Sequence, residues 1–234
     1  MQKGWPVLLW TPRDLLDRCG DCEVPVEVSS GGGDYRDMYS NPSPKPGRRF
    51  EAGVPVPLSL LLSSMQESQE QPGQAAPDQV RHQEHLQLYL AQRDVGQVLP
   101  DLAEALPTAP PFPGVSERLH QRSIWLGCRG TQTPLHRDPY HNLFCQVWGS
   151  KTVRLYAPDQ SQNVYPFANP FLRNTSQVDV LAPDMERHPR FAEVPYIECT
   201  LQPGEMLYIP TKWWHFVWAE TPSLSISYWW TPMP

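Results

Sequence analysis

The second half of the chain, from residue 123 onward, places large apolar and β-branched residues in short runs that proline and glycine interrupt. Residues 143–148 and 151–156 are rich in Val, Phe, Trp and Tyr and flank a Gly-Ser pair, which predicts a hairpin of two strands. Residues 206–209 follow a Pro-Gly turn signal, and residues 224–230 alternate serine with large apolar side chains, so both predict further strands. Short strands bounded by turn residues favour a mainly β barrel or jelly-roll sandwich.

The first half of the chain is less regular and richer in turn-forming residues. A short β-like run at residues 25–28 precedes a predicted Gly/Pro-rich loop over residues 31–53. Residues 66–79 are rich in Gln, Ser, Pro and Glu, and we expect a loop insertion there because this composition buries little apolar surface. Between residues 80 and 105 the leucine spacing predicts one or two short helices that separate near Pro100. We expect the whole chain to form a single domain with a few flanking helices.

Composition narrows the class of protein. The chain has 234 residues with 28 prolines and 14 glycines, so long uninterrupted helices are not expected. A net charge of −6 argues against a broad basic surface for direct binding of nucleic acid or anionic membranes. The longest apolar stretch, residues 54–62, contains two prolines and is far shorter than the ~20 residues that span a bilayer. An odd cysteine count and the lack of an export signal favour an intracellular protein of the nucleus or cytoplasm.

The strongest candidate for chemistry is the segment 133–139, Thr-Pro-Leu-His-Arg-Asp-Pro. In an extended chain His136 and Asp138 project to the same side, while Arg137 points away. With His215 as third ligand, they would form a metal site of two histidines and one carboxylate. Such a site leaves three adjacent coordination positions open, as non-haem Fe(II) requires to bind a chelating cosubstrate and O2 together. A His-x-Asp pair also occurs by chance in exposed loops, so an ordinary loop is the alternative interpretation at this point.

A longer pattern surrounds these residues. It comprises Trp-Leu-Gly at 125–127, the segment 133–138, Asn142, Gln-Val-Trp-Gly-Ser-Lys at 146–151, Pro-Gly-Glu at 203–205 and Trp-His at 214–215. With this order, residues 24–230 resemble the jumonji-C family, which comprises 2-oxoglutarate- and Fe(II)-dependent oxygenases on a double-stranded β-helix, a cupin-like jelly roll. Residues 25–28, 89–92 and 174–180 are most similar to its small hydroxylases of arginyl residues, a branch also reported as histone lysine demethylases or histone-tail proteases.

The resemblance implies a role for ten residues. It implies that the iron ligands are His136, Asp138 and His215. It implies that the cosubstrate 2-oxoglutarate contacts Tyr89, Thr133, Asn142 and Lys151. It implies that a substrate guanidinium contacts Glu27, Trp125 and Trp229. O2 would be the second cosubstrate. The substrate would be a protein or peptide, either a histone or a ribosomal or chromatin-associated protein.

The sequence departs from the family pattern at one wall of the substrate site. An aromatic residue is expected about ten residues after Glu27, but the segment 31–39 is glycine-rich and offers only Tyr35 or Tyr39 as a loose substitute. Two alternatives to the oxygenase remain open. One is a catalytically inactive jumonji-C-like binding module, against which the intact ligand positions argue. The other is a zinc-loaded cupin enzyme, since two histidines and a carboxylate also suit zinc.

Overall fold

Eleven strands in the described part of the chain form two antiparallel sheets that face each other. The computed structural model describes residues 10–31, 33–39, 48–69 and 86–232. The strands are β1 (Glu23–Ser30), β2 (Arg49–Pro57), β3 (Gln87–Asp94), β4 (Leu119–Gly127), β5 (Gln132–Arg137), β6 (His141–Trp148), β7 (Lys151–Tyr156), β8 (Ile197–Leu201), β9 (Met206–Ile209), β10 (Trp214–Ala219) and β11 (Ser223–Trp230). The larger sheet has the order β2-β1-β3-β4-β11-β6-β9 and the smaller has the order β5-β10-β7-β8. The predicted double-stranded β-helix is therefore confirmed.

Four short α-helices within the described ranges accompany the sheets: α1 (Pro12–Cys19), α2 (Leu58–Gln69), α3 (Val95–Val98) and α4 (Pro100–Ala105). Helix α1 begins with a capping box, because Thr11 accepts a hydrogen bond from the backbone N–H of Asp14 and the Asp14 carboxylate accepts one from that of Thr11. The helices contribute buried leucines to an apolar cluster on one face of the larger sheet. None of the described helices combines the length and apolar character needed to cross a bilayer.

The apolar residues form three layers. The first lies between the helices and the larger sheet, the second lies between the two sheets, and the third lies between the smaller sheet and the segment 164–194. Strand β11 shows how one strand serves two of these layers. Its residues Leu224, Ile226 and Tyr228 face the helices, whereas Ser225 and Ser227 alternate with them and face the interior between the sheets. Small side chains on that inner face leave room for a cavity.

The predicted hairpin at residues 143–156 is wrong in its pairing, although both strands form where the sequence indicates. Strand β6 pairs with β11 and β9 in the larger sheet, whereas β7 pairs with β10 and β8 in the smaller one. Gly149 has φ +69°, and a Cβ on it would lie 2.1 Å from the Pro222 carbonyl oxygen. The Gly-Ser turn therefore carries the chain from one sheet to the other, because strand-forming side chains define each strand but not its partner.

Three predictions for the first half also need correction. Residues 87–94 form strand β3, not a helix, because the strand is buried on both faces and its apolar run does not alternate. Strand β2 takes up residues 49–53 of the expected loop and continues to residue 57. Residues 66–69 of the expected insertion form the last turn of α2, and residues 70–79 lie outside the described ranges. The short helices expected near Pro100 are confirmed as α3 and α4.

Candidate functional site

Strand pairing brings His136 and His215 together from distant parts of the chain. His136 in β5 is the direct antiparallel partner of His215 in β10, and the centroids of the two rings are 4.1 Å apart. Asp138 follows β5 directly, and its backbone carbonyl accepts a hydrogen bond of 2.9 Å from the N–H of Lys212 in the turn before β10. Because this bond joins the end of one strand to the turn before the next, it fixes the carboxylate beside both rings.

The donor atoms of His136, Asp138 and His215 converge on one point. The Nε2 atoms of His136 and His215 lie 3.6 and 3.7 Å from Asp138 Oδ2, and one possible ligand atom from each residue lies within 4.8 Å of the others. Each Nδ1 faces a backbone carbonyl two residues earlier, at 2.8 Å for His136 and 3.1 Å for His215. With Nδ1–H donating to that carbonyl, each Nε2 presents its lone pair to the common centre.

The electrostatics of these three side chains also suit a cation. Burial and, to a smaller extent, the neighbouring His136 lower the pKa of His215 to about 4, so this ring is neutral at physiological pH. Burial raises the pKa of Asp138, but attraction to both imidazoles outweighs it and the net pKa is lowered. Asp138 Oδ2 is buried and has no hydrogen-bond partner among the described residues. A neutral ring and an unsatisfied buried carboxylate oxygen fit a divalent metal, and two histidines with one carboxylate fit Fe(II).

A cavity, here called the inner cavity, opens beside His136 and His215. The inner cavity is lined by Tyr89, Trp125, Thr133, His136, Asn142, Phe144, Ile209, His215, Val217, Ser227 and Trp229. The side-chain Oδ1 of Asn142 is buried without a hydrogen-bond partner in the part of the chain that the structure describes. The inner cavity therefore has unused polar capacity for a small ligand.

Lys151 places a buried ammonium against two of the aromatic side chains that line this cavity. Its side chain is 1% exposed, and its Nζ donates a hydrogen bond of 3.3 Å to the hydroxyl of Tyr89. The Nζ also lies 5.3 and 5.7 Å from the ring centroids of Tyr89 and Phe144. Burial lowers the pKa of Lys151 to about 7, and no carboxylate pairs with it within the described ranges. A buried ammonium with this surrounding suits an anionic ligand group such as the distal carboxylate of 2-oxoglutarate.

A second space of about 560 Å³, here called the outer cavity, adjoins the first and shares Tyr89, Trp125 and Thr133 with it. Glu27 and Tyr35 line this outer cavity. Burial raises the pKa of Glu27 to about 7, although Arg93 partly offsets the effect. The Tyr35 hydroxyl is 3.2 Å from Thr175 Oγ1, while the side chain of Tyr39 lies outside the described residues.

Trp125 lies between these two spaces, with Trp229 beside it. The Trp125 Nε1 donates a hydrogen bond of 3.0 Å to Ser227 Oγ, which fixes the indole. Trp229 meets Trp125 edge-on with ring centroids 6.3 Å apart and lines only the inner cavity. The structure therefore groups Trp229 with the predicted cosubstrate residues and Glu27 with the outer cavity, while Trp125 belongs to both.

Comparison with known proteins places the chain in a family. The profile of the cupin-like domain matches residues 1–234. The chain belongs to the cupin-like domain family. Jumonji C domain-containing protein 5 of Drosophila melanogaster is 42% identical to it over 146 residues, which cover 61% of the chain and 36% of that protein. Lysine-specific demethylase 8 of Xenopus tropicalis is 41% identical over 145 residues, 61% of the chain and 33% of that protein.

A third relative of this cupin-like chain is HSPB1-associated protein 1 of Homo sapiens. It is 35% identical over 122 residues, which cover 50% of the chain and 25% of that protein. The chain thus spans about a third of the length of the first two relatives, and less of the third. These matches confirm the resemblance to jumonji-C proteins.

Two features of this cupin-like site escaped the sequence interpretation. A Cβ on Gly127 would lie 2.6 Å from Cδ2 of Tyr89, so only glycine allows the Tyr89 ring its position in the inner cavity. Thr175 forms a β-bridge with His136 and covers the free edge of β5. The role of Gly127 could have been inferred from its place in the Trp-Leu-Gly motif. No local sequence pattern indicates the bridge, because its two partners are 39 positions apart in the chain.

Proposed function

We propose that this protein is a 2-oxoglutarate- and Fe(II)-dependent oxygenase that hydroxylates a cationic protein side chain, arginine in the first place. One observation carries the proposal: the two histidines of the convergent His136, Asp138 and His215 triad line a small cavity, and the unpaired ammonium of Lys151 lies against two aromatic rings that also line it. A metal and a dianion are the two ligands that these groups need, and a chelating 2-oxo acid binds both groups at once.

The deep end of the site would hold the metal and the cosubstrate. His136, Asp138 and His215 would bind Fe(II), which supplies the activation of O2. Lys151 would pair with the distal carboxylate of 2-oxoglutarate, and the hydroxyls of Tyr89 and Thr133 would donate hydrogen bonds to it. Tyr89 keeps its proton for this role, because burial raises its pKa, although Thr133 partly offsets the rise. The overall reaction converts 2-oxoglutarate, O2 and a C–H bond into succinate, CO2 and a hydroxyl group.

The outer cavity would receive the substrate. Glu27 and Trp125 both line it, and Trp125 also borders the inner cavity. A guanidinium is planar and weakly hydrated, so it gains both from a carboxylate and from stacking on an indole. Tyr35 lines the same space and supplies an aromatic ring from the glycine-rich segment. A side chain held in this way would extend past Trp125 toward the metal.

Demethylation of methyl-lysine is the second candidate, and the name of the Xenopus relative, lysine-specific demethylase 8, favours it. Both reactions remove hydrogen from a C–H bond, and the outcome depends on which carbon lies beside the metal. A methylated ammonium would also pair with Glu27 and stack on Trp125. The partner would be a histone, a ribosomal or chromatin-associated protein, or a binding partner of the kind that the name HSPB1-associated protein 1 suggests.

The test is succinate release by the purified protein with Fe(II), ascorbate, 2-oxoglutarate and peptides that contain arginine or methyl-lysine. Mass spectrometry then distinguishes a gain of one oxygen on arginine from the loss of a methyl group on lysine. His136→Ala should abolish both succinate release and peptide modification, whereas His188→Ala, which changes an imidazole outside the cavities, should retain them. Turnover that persists in His136→Ala would contradict the proposed metal site.

The two alternatives have tests of their own. A binding module without activity would take up neither Fe(II) nor 2-oxoglutarate in titration calorimetry under anaerobic conditions. A zinc enzyme would contain zinc after anaerobic preparation and would lose activity when Fe(II) replaced it. Activity restored by Fe(II) and not by Zn(II) would support the oxygenase.

A further inference from the structure

A row of four neighbouring aromatic rings connects the inner cavity to the protein surface. His120 stacks on Tyr140 with ring centroids 4.2 Å apart, and Tyr140 stacks on Trp229 at 6.1 Å. Trp229 in turn meets Trp125 edge-on at 6.3 Å. We call His120, Tyr140, Trp229 and Trp125 the aromatic row. Each ring in the row neighbours the next, so no aliphatic side chain separates the steps.

The two ends of the aromatic row lie in different environments. Trp125 and Trp229 are 6% and 4% exposed and line the inner cavity together with the histidines of the metal site. Tyr140 is half-buried and packs against the apolar layer between the sheets, and His120 is exposed. The aromatic row therefore runs from the reaction site to solvent through residues that are among the most easily oxidised in proteins.

We propose that the aromatic row removes oxidising equivalents from the metal site when 2-oxoglutarate is consumed without a substrate in place. This inference rests on the proposed oxygenase function. Conversion of 2-oxoglutarate and O2 to succinate and CO2 leaves one oxygen atom, which two electrons and two protons reduce to water. In coupled turnover the substrate C–H bond supplies those electrons. Without substrate, Trp229 gives each electron to the metal site, and Tyr140 then replaces the electron that Trp229 has lost. A reductant of the ascorbate class restores Tyr140 from solution.

The surroundings of Trp229 and Tyr140 favour transfer in this direction. Trp229 Nε1 is buried and has no hydrogen-bond partner among the residues described, so an oxidised indole there has no neighbouring base to take its proton. It therefore stays a strong oxidant and takes an electron from the next ring. The half-buried phenol of Tyr140 is close enough to solvent to release its proton on oxidation, which makes it the stable resting point of the charge. The indole of Trp125, by contrast, donates its N–H to Ser227.

The stack could instead serve packing alone, and a matched pair of variants separates the two roles. Tyr140→Phe keeps the ring and removes the easily oxidised phenol. Tyr196→Phe is the control, because Tyr196 lies outside the aromatic row. It is 51% exposed and packs against Tyr156, a member of the third apolar layer. Both variants should fold as the wild type and should retain coupled turnover with substrate.

Turnover without substrate provides the first measurement. In wild type, rapid freezing should trap a tyrosyl radical visible by electron paramagnetic resonance, and ascorbate should discharge it. In Tyr140→Phe the signal should disappear, the number of turnovers before inactivation should fall several-fold, and peptide mass spectrometry should find more oxygen added to Trp125 and Trp229. Tyr196→Phe should match the wild type in all three. Equal radical yield and equal lifetime in Tyr140→Phe would overturn the proposal.

A measurement without metal separates failure of this electron relay along the aromatic row from failure of the proposed oxygenase function. Azide radicals made by pulse radiolysis oxidise tryptophans in the protein without iron, and the decay of the tryptophan radical band can be followed as the tyrosyl band grows. Tyr140→Phe should lower the yield of this internal transfer, and Tyr196→Phe should not. If the wild type releases no succinate, the oxygenase proposal fails and the transfer yield alone decides on the relay. An unchanged yield in Tyr140→Phe overturns the relay whether or not succinate forms.

Discussion

The substitution Lys151→Met tests whether the inner cavity holds a positive charge in need of an anion. Methionine has nearly the length of lysine and carries no charge. The Lys151 side chain is 1% exposed and finds only a hydroxyl and two aromatic faces around its Nζ. Without ligand, we therefore expect the variant to be more stable than the wild type. We also expect it to lose affinity for 2-oxoglutarate, because the partner of the distal carboxylate is gone.

The size and the sign of the expected stability difference follow from the pKa of Lys151. Burial lowers that pKa from 10.5 to about 7. At about 1.36 kcal/mol per pKa unit, the difference corresponds to about 5 kcal/mol of unfavourable free energy for the charged form in the folded state. Between the two pKa values the unfolded chain binds more protons, so the free energy of unfolding of the wild type rises with pH. Below the folded pKa the penalty is complete, and above the unfolded pKa it vanishes.

Urea unfolding of both proteins at several pH values measures this difference. We expect Lys151→Met to exceed the wild type in free energy of unfolding by about 3–5 kcal/mol near neutral pH, the lower bound allowing for lost cation–π contacts of up to about 2 kcal/mol. The gap should narrow steadily toward pH ~10, where the lysine is neutral in both states. The exposed Lys212 provides the control, since Lys212→Met should show no such gap.

Two results would refute this reasoning. If Lys151→Met is less stable than the wild type near neutral pH and the difference does not change with pH, the ammonium is not a buried unpaired charge. If the variant binds 2-oxoglutarate in calorimetry as tightly as the wild type, the lysine does not hold the cosubstrate. Conversely, addition of 2-oxoglutarate should stabilise the wild type much more than the variant, because the ligand supplies the missing anion.

Two further predictions concern the outer cavity and the wall of the inner one. Because burial raises the pKa of Glu27 to about 7, the KM for an arginine peptide should rise as pH falls through that value, while Glu27→Gln should show a high KM without this pH dependence. Peptide kinetics over the pH range test this, with the KM for 2-oxoglutarate as control, and identical profiles would contradict it. Gly127→Ala should displace the Tyr89 ring, raise the KM for 2-oxoglutarate and lower stability by about 1–3 kcal/mol. Gly96→Ala, in helix α3, is its control in thermal unfolding, and equal effects would contradict the steric argument.

Local side-chain patterns predicted the elements of the fold better than their partners. The bounds of β9, Met206–Ile209, agree with the sequence prediction because a Pro-Gly turn fixes where that strand begins. The strands on either side of Gly149 also form as expected, but each pairs in a different sheet. Partner choice depends on which faces are buried across the whole molecule, and a single sequence does not record that.

Strand β3 shows a second limit of sequence patterns. Leu90 is fully buried toward the helices, and the adjacent Tyr89 faces the inner cavity. A strand covered on both faces loses the alternation of apolar and polar residues that distinguishes a strand from a short helix. The helix prediction failed there for this reason, and the same strand holds a residue proposed to bind the cosubstrate.

The candidate site divides in the same way between local and long-range information. His136 and Asp138 are two residues apart, so their common direction follows from strand geometry alone. The approach of His215 depends on the pairing of β10 with β5, across 79 residues of chain. No spacing rule predicts that pairing, and only the position of His215 after a predicted strand and the resemblance to a known family indicated it.

Charge also distinguishes what the two cavities can hold. The ammonium of Lys151 contacts two side chains that line the inner cavity, whereas Glu27 lines the outer cavity. An anion therefore gains most in the inner cavity and a cation in the outer one. The two spaces share Tyr89, Trp125 and Thr133, so on the proposed function the cosubstrate and a cationic side chain would be bound on either side of these three residues. This arrangement would keep the consumption of 2-oxoglutarate next to the substrate when both are bound, and would leave the aromatic row to act when the outer cavity is empty.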